Sequence, residues 1–281
     1  MAGPQIDDKT SVARGKDLFA LITGASSGIG ACFARALAAR GRHLVMAARS
    51  KDKLEALKSE IAAKHSVRME VIEQDLSLEG AAERLAATLH ERGIEVDLLV
   101  NNAGFGAHGE FWKLPLKRQS EMLRLNIITL TELSHLLLPA MVARRGGGII
   151  NISSTAGFQP LPYTSVYAAT KAYVTSFSMG LAEEAAEYGV KVLALCPGGT
   201  ATNFFDASQW TMREFAGGLQ SPEEVVEEGL RAYDRGRSLA VTRFINRLMI
   251  FAQRLAPRRL VARQAGKVFR PKTETVLRHP G

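Results

Sequence analysis

Leu18-Phe19-Ala20-Leu21-Ile22-Thr23 runs straight into Gly24-Ala25-Ser26-Ser27-Gly28-Ile29-Gly30, and then into a segment of helical period that reaches Arg40. An apolar run of strand length, a glycine-rich turn and a helix, in that order, open a βα unit. Glycines at such a turn let backbone N–H groups approach a pyrophosphate closely, and the helix N-terminus adds its dipole and unpaired donors. Taken alone, the loop also reads as a plain tight turn. Its spacing is G-x-x-x-G-x-G, a departure from the G-x-G-x-x-G fingerprint.

Working outward, the pattern repeats. Strand-length apolar runs stand at His43–Ala48, Arg68–Gln74, Val96–Asn101, Gly148–Ser153 and Val190–Leu195, with helical segments between them; one is expected over about Tyr167–Tyr188. Nearly continuous apolar strands separated by helices imply a parallel sheet covered on both faces. The expected fold is therefore a doubly wound, Rossmann-like α/β sandwich of three layers. Its expected limits are a polar segment 1–16, an α/β domain 17–241 and a basic helical extension 242–281. In such sheets ligands bind outside the carboxyl ends of the strands.

Composition narrows the class. The 281 residues are 46% hydrophobic and 23% charged, ordinary for a globular chain. Cys32 and Cys196 are too few for a disulfide framework, and the first seventeen residues lack the apolar region of a signal peptide. No run of about 18 apolar residues is found, so no membrane-spanning helix is expected. These readings together suggest a cytoplasmic protein. The net charge of +8 resolves into a body, 1–234, with 24 basic and 27 acidic residues and a tail, 235–281, with twelve basic residues and Glu274. The basic balance belongs to the tail, and no aromatic stacking motif accompanies it, so no nucleic-acid partner is expected. The six histidines show no metal-ligand spacing, and no metal is expected.

Three motifs recur in order: Thr23-Gly24-Ala25-Ser26-Ser27-Gly28-Ile29-Gly30, Asn101-Asn102-Ala103-Gly104, and Tyr167-Ala168-Ala169-Thr170-Lys171. With Asp75, Asn126, Ser154 and the Pro197-Gly198 turn between or after them, the chain resembles the short-chain dehydrogenase/reductase family over roughly 17–240. Tyr167 and Lys171, four apart on a helix, share a face. A free phenol titrates near pH ~10, and a neighbouring ammonium favours its ionised form, which is expected to bring Tyr167 towards the working range. The resemblance implies that Tyr167 exchanges a proton with a carbonyl or alcohol oxygen, and that Lys171 also binds the nicotinamide ribose. It further implies that Ser154, thirteen residues before Tyr167, orients the substrate oxygen, and that Asn126 holds a water in a proton relay. Ser153 and Ser154 point opposite ways by strand alternation.

The cofactor reading rests on Ala47-Ala48-Arg49-Ser50 after the second strand. Dinucleotide sites that take NAD place Asp or Glu there. Here Ala48 occupies that position, while Arg49 offers a charged fork to a 2′-phosphate and Ser50 a hydroxyl, so NADP(H) is expected over NAD(H). Ser27 is not basic, which makes this a one-arginine site. The resemblance adds Asp75 and Leu76 at the adenine, Asn102 to Gly104 along the backbone, and Pro197, Gly198, Thr200 and Thr202 around the nicotinamide.

Phe105, Phe158, Leu161, Pro162, Tyr163 and Phe205 are expected to border the substrate cleft, an apolar lining without an Arg clamp. Phe105, Phe158 and Tyr163, with Ser154, are the candidate substrate contacts. In the tail, Phe244, Leu248, Phe251 and Leu255 form an apolar stripe at helical spacing, with Arg243, Arg247 and Arg254 on a neighbouring face. Packing on its own domain or on a partner subunit, covering the cleft, or lying on an anionic membrane surface all suit such a helix. The reading is an NADP(H)-dependent carbonyl reductase or alcohol dehydrogenase acting on a lipophilic substrate, as a homodimer or homotetramer. The alternative is a dinucleotide-binding regulator or scaffold with little turnover, its basic tail suited to peripheral contact with a membrane.

Overall fold

The structure, a computed structural model, describes residues 17–202 and 218–271. Seven parallel strands form one sheet: β1 (Leu18–Thr23), β2 (His43–Ala48), β3 (Met69–Glu73), β4 (Glu95–Asn101), β5 (Gly148–Ile152), β6 (Lys191–Cys196) and β7 (Leu239–Val241), in the order β3-β2-β1-β4-β5-β6-β7. The doubly wound α/β reading stands. β7 escaped the sequence reading because three residues carry no periodicity; its pairing with Ala194–Cys196 decides it.

Helices cover both faces. One carries α1 (Gly28–Ala39), α2 (Lys51–Ala62) and α7 (Pro222–Asp234); their apolar sides meet Ile22, Leu44, Met46 and Leu193. The other carries α3 (Ala81–Glu91), α5 (Leu130–Arg144) and α6 (Ser165–Ala186), packed on Leu21, Val45, Leu99 and Ile149. These strand side chains are wholly buried, each worth about 1.5–3 kcal/mol. α7 starts where its sequence dictates. The Ser221 hydroxyl accepts from the Glu224 amide, Glu224 accepts in return from the Ser221 amide, and Pro222 follows the cap.

A buried polar chain ties the second layer to the sheet. Asn101 Nδ2 donates to Asn151 Oδ1 (2.9 Å) and Asn151 Nδ2 to Ser178 Oγ (2.9 Å), so amides on β4 and β5 fix α6 against both. Each bond satisfies a group that would otherwise be costly to bury.

Two expectations need correction, and a third, left open between alternatives, narrows. The stretch Leu116–Arg144 comprises α4 (Leu116–Leu123), a π-helical turn (Arg124–Thr129) and α5. It is one helical run of 29 residues, long and apolar enough to cross a membrane. In this fold it turns Leu133, Ser134 and Met141 inward against the sheet, so packing accounts for part of its apolar character. Asn126, expected in ordinary helix, lies in the π turn. Finally, the tail forms α8 (Phe244–Arg254) and α9 (Arg258–Val268), but α8 does not pack through its apolar stripe. Asn246 and Ile250 face inward, while Phe244, Leu248, Phe251 and Leu255 are exposed. Periodicity identified the helix; it could not say which side the domain would take. α9 packs in the usual sense, with Ala265 and Phe269 joining Leu161, Tyr167 and Ala168 in a small third cluster.

Candidate functional site

β1 pairs with β2 on one side and β4 on the other, so the chain direction of winding reverses there and a crevice opens at the strand ends. A cavity of about 990 Å³ lies in this place. Gly24, Ser26, Ser27, Gly28 and Ile29 form one part of its wall. The turn depends on two glycines. Gly24 has φ +65°, and a Cβ on it would stand 2.9 Å from Ala103 Cα; a Cβ on Gly30 would stand 2.4 Å from Gly24 O and 2.5 Å from Asn102 Nδ2. Gly30 therefore lies behind the wall, where it allows α1 to close on the loop.

Asn102 clamps that arrangement. Its Nδ2 donates to Thr23 O (2.9 Å) and Gly24 O (3.1 Å), and Thr23 Oγ1 accepts from the amides of Asn102 and Ala103 (3.0 Å each). Ser27, the N-cap of α1, makes no side-chain cap bond. Among the described residues no side chain caps the α1 N-terminus, whose Gly28 and Ile29 line the cavity, as an anionic ligand requires.

Arg49, Ser50, Asp75, Leu76, Asn102, Ala103 and Gly104 line the same cavity, as do Pro197, Gly198, Thr200 and Thr202. Asp75 is positioned by Ser77, whose amide (2.9 Å) and hydroxyl (2.6 Å) both donate to its Oδ1. Burial pushes the Asp75 carboxyl up, but the Ser77 bonds and the Arg49 charge outweigh it and hold the group below its ordinary value.

Ser154, Tyr167 and Lys171 meet on this wall. Ser154 lies two residues beyond β5 and caps the following 3-10 turn by accepting from Ala156 N (3.1 Å); its hydroxyl is also hydrogen-bonded to Tyr167. Ser153 turns the other way, as alternation requires, and donates to Lys171 O (2.8 Å). Lys171 Nζ donates to Ile152 O (2.8 Å) and stands 5.7 Å from the Tyr167 ring centroid. Burial dominates both groups. It drives the Tyr167 phenol up to about 12 against the Ser154 hydrogen bond, and the Lys171 ammonium down to about 8. The expected lowering of Tyr167 by Lys171 is therefore corrected: desolvation of the buried phenol dominates, and Tyr167 keeps its proton at neutral pH.

Other sequence candidates fall elsewhere. Asn126 is buried off the cavity wall, with Nδ2 donating to Phe105 O (3.0 Å) and Thr170 Oγ1 (3.1 Å) and Oδ1 accepting from Phe105 N (3.2 Å). Its side chain positions the Gly104–Phe105 backbone. Phe105 and Leu161 line the cavity; Phe158, Pro162 and Tyr163 do not. Tyr163 borders a small separate recess, and its hydroxyl accepts from Arg270 Nε (3.1 Å). Phe205 lies outside the described residues.

The structure adds wall residues that sequence reasoning missed. Lys53, in the first turn of α2 and four residues after Arg49 in the chain, turns the one-arginine site into a two-cation one. From the tail come Arg243, Asn246, Met249 and Gln253, and from α9 Val261, Lys267 and Phe269. Arg243 and Lys267 add cations to a lining that the sequence reading described as apolar and without an Arg clamp. The signal for α8 was the i, i+4, i+7 set Asn246, Ile250 and Gln253, opposite the more conspicuous apolar stripe.

The family model described as short chain dehydrogenase matches residues 18–212. Among curated proteins, the very-long-chain 3-oxoacyl-CoA reductase of Homo sapiens is 33% identical over 230 residues, 80% of this chain and 72% of that protein. A short-chain dehydrogenase from Sphingobium yanoikuyae, solved in complex with NADPH, shares 30% identity with a TM-score of 0.76 over 93% of this chain and 100% of that one. The bulky-bulky ketone specific alcohol dehydrogenase from Comamonas testosteroni shares 31% identity with a TM-score of 0.72, over 85% of this chain and 93% of that one.

Proposed function

Because the chain belongs to the short-chain dehydrogenase family, we propose that this oxidoreductase uses NADP(H) to interconvert a lipophilic ketone or aldehyde and its alcohol. The observation that carries the reading is the meeting of Ser154, Tyr167 and Lys171 on the cavity that Arg49, Ser50 and Lys53 also line. A dinucleotide fits the uncapped α1 N-terminus through its pyrophosphate, and a 2′-phosphate fits Arg49 and Lys53, with no carboxylate at Ala48 to repel it. When bound, the nicotinamide supplies or accepts the hydride.

The residues of the chain do the rest. Tyr167, kept protonated by burial, donates its proton to the carbonyl oxygen in the reducing direction. Ser154, hydrogen-bonded to that phenol, orients the same oxygen. Lys171, anchored on Ile152 O, keeps most of its charge at neutral pH and favours the negative charge left on the phenol oxygen. Asn126 acts at one remove, holding the loop that carries Phe105.

A lipophilic substrate suits Phe105, Leu161, Met249, Val261 and Phe269 on the wall, and relatives named for long-chain and bulky-ketone chemistry agree with it. Arg243 and Lys267 favour a second form of the reading, a 3-oxoacyl thioester on a phosphate-bearing carrier. We take 17–241 as the oxidoreductase domain and 242–281 as its basic extension, in a homodimer or homotetramer that is cytoplasmic or membrane-peripheral.

The test is NADPH oxidation against a panel of aldehydes, bulky ketones and long-chain 3-oxoacyl thioesters, with Tyr167→Phe alongside. General acid–base catalysis contributes about 10²–10⁴-fold, so the variant should lose that much turnover while retaining NADPH binding. Near-wild-type turnover in the variant would remove Tyr167 from the chemistry. No turnover of any substrate by a wild type that binds NADPH tightly would favour the dinucleotide-binding regulator.

A further inference from the structure

The two tail helices present an arrangement that the oxidoreductase reading does not use. A helix on a soluble domain normally turns its apolar stripe to the core. α8 does the reverse. Its inward face carries Asn246, whose Nδ2 donates to Thr242 O (2.8 Å), together with Ile250 and the cavity-lining Met249 and Gln253. Phe244, Leu248, Phe251 and Leu255 stand on the opposite face, each at least 50% exposed. Successive positions differ by 100°, so these four fall within one narrow sector of the helix. Arg247, 3.9 Å from Glu228, and Arg254 lie along one side of it, and after the turn at Pro257 follow Arg258, Arg259 and Arg263, all exposed. From Phe244 to Arg270 the sequence holds seven basic residues and no acidic one.

An apolar ridge bordered by arginines, with no carboxylate in the segment, matches an anionic lipid surface: the hydrocarbon takes the aromatic and leucine side chains and the headgroups take the guanidinium groups. We propose that the exposed face of α8, with the basic residues of α9, docks this protein on an anionic bilayer. The helix in contact with lipid is also a wall of the cavity. One helix diameter, about 10–12 Å, then separates the bilayer from the cavity. A second copy of the chain fits less well, because a segment with seven basic residues and no acidic one sets like charges against each other across a symmetric interface.

The test uses the full chain and vesicles of phosphatidylcholine with or without about a third phosphatidylserine. Wild type should cosediment with the anionic vesicles and at least about tenfold more weakly with the neutral ones. Binding should fall on going from about 0.1 M to about 1 M salt, where the screening length drops from ~10 to ~3 Å. Each basic residue at such a surface is worth about fivefold in affinity, so Arg258→Glu with Arg259→Glu and Arg263→Glu should weaken binding by more than about a hundredfold. Phe244→Ser with Leu248→Ser and Phe251→Ser should abolish it with the melting temperature held within about 2 °C, because these side chains are not packed. None of the six substituted residues lines the cavity, so NADPH binding serves as a folding control. Three outcomes would overturn the proposal. One is a wild type that ignores anionic vesicles. Another is a large melting-temperature loss in the apolar variant. The third is a homo-oligomer that this variant dissociates while vesicles have no effect.

Discussion

Gly30→Ala tests the phosphate-loop architecture with a single methyl group. The added Cβ would stand 2.4 Å from Gly24 O and 2.5 Å from Asn102 Nδ2, far inside contact distance, and neither neighbour is free to yield. Gly24 O is main chain, and Asn102 Nδ2 already donates to Thr23 O and Gly24 O. Relief requires Asn102 to give up those bonds, at about 1 kcal/mol each, and overpacking adds about 1–3 kcal/mol. Alanine recovers about 1 kcal/mol through its better helix propensity in α1. The net loss is about 2–4 kcal/mol. At roughly 2–4 °C per kcal/mol for a chain approaching this size, melting should fall by about 4–16 °C. Because the displaced loop is the one facing the cavity at the α1 N-terminus, NADPH affinity should fall at least about tenfold. Differential scanning calorimetry and a fluorescence titration read both numbers. An unchanged melting temperature together with affinity within about twofold of wild type would refute the account of Gly30 and Asn102.

The same substitution should have the opposite sign at Gly180, an exposed helical position of α6 whose added Cβ meets nothing within 4 Å. There, calorimetry should show a gain of about 0.5–1 kcal/mol, and a loss would mean that something covers that face. Arg49→Ala should weaken NADPH at least about tenfold more than NADH, and Lys53→Ala should do so to a smaller degree, since a charge-assisted bond is worth about 1.5–3 kcal/mol; equal losses for both cofactors would assign these cations elsewhere. Burial holds Lys171 at about 8, so its charge is present below that pH and lost above it. The reduction rate should accordingly fall along an alkaline limb beginning near pH 8, and a flat profile to about pH 10 would show that the ammonium is not required.

Local periodicity and local chemistry were legible in the sequence of this protein. Nearly continuous apolar runs such as Leu18–Thr23 and His43–Ala48 announce buried parallel strands because hydrophobicity and strand length are properties of consecutive residues. The motif residues were legible for the same reason: Gly24 to Gly30 lie in one turn, and Tyr167 and Lys171 on one helix face. Tertiary structure alone decided what depends on residues distant in the chain. β7 exists because β6 offers it an edge. Asn126 serves the Phe105 backbone, twenty-one positions away, and the Tyr167 phenol is pushed up rather than down because the folded chain buries it. The tail shows the division most plainly. Spacing identified α8 as amphipathic, but a helical wheel has no inside until a domain stands against it. Here the domain, with its cavity, took the side bearing Asn246 and Gln253 and left the apolar stripe facing outward.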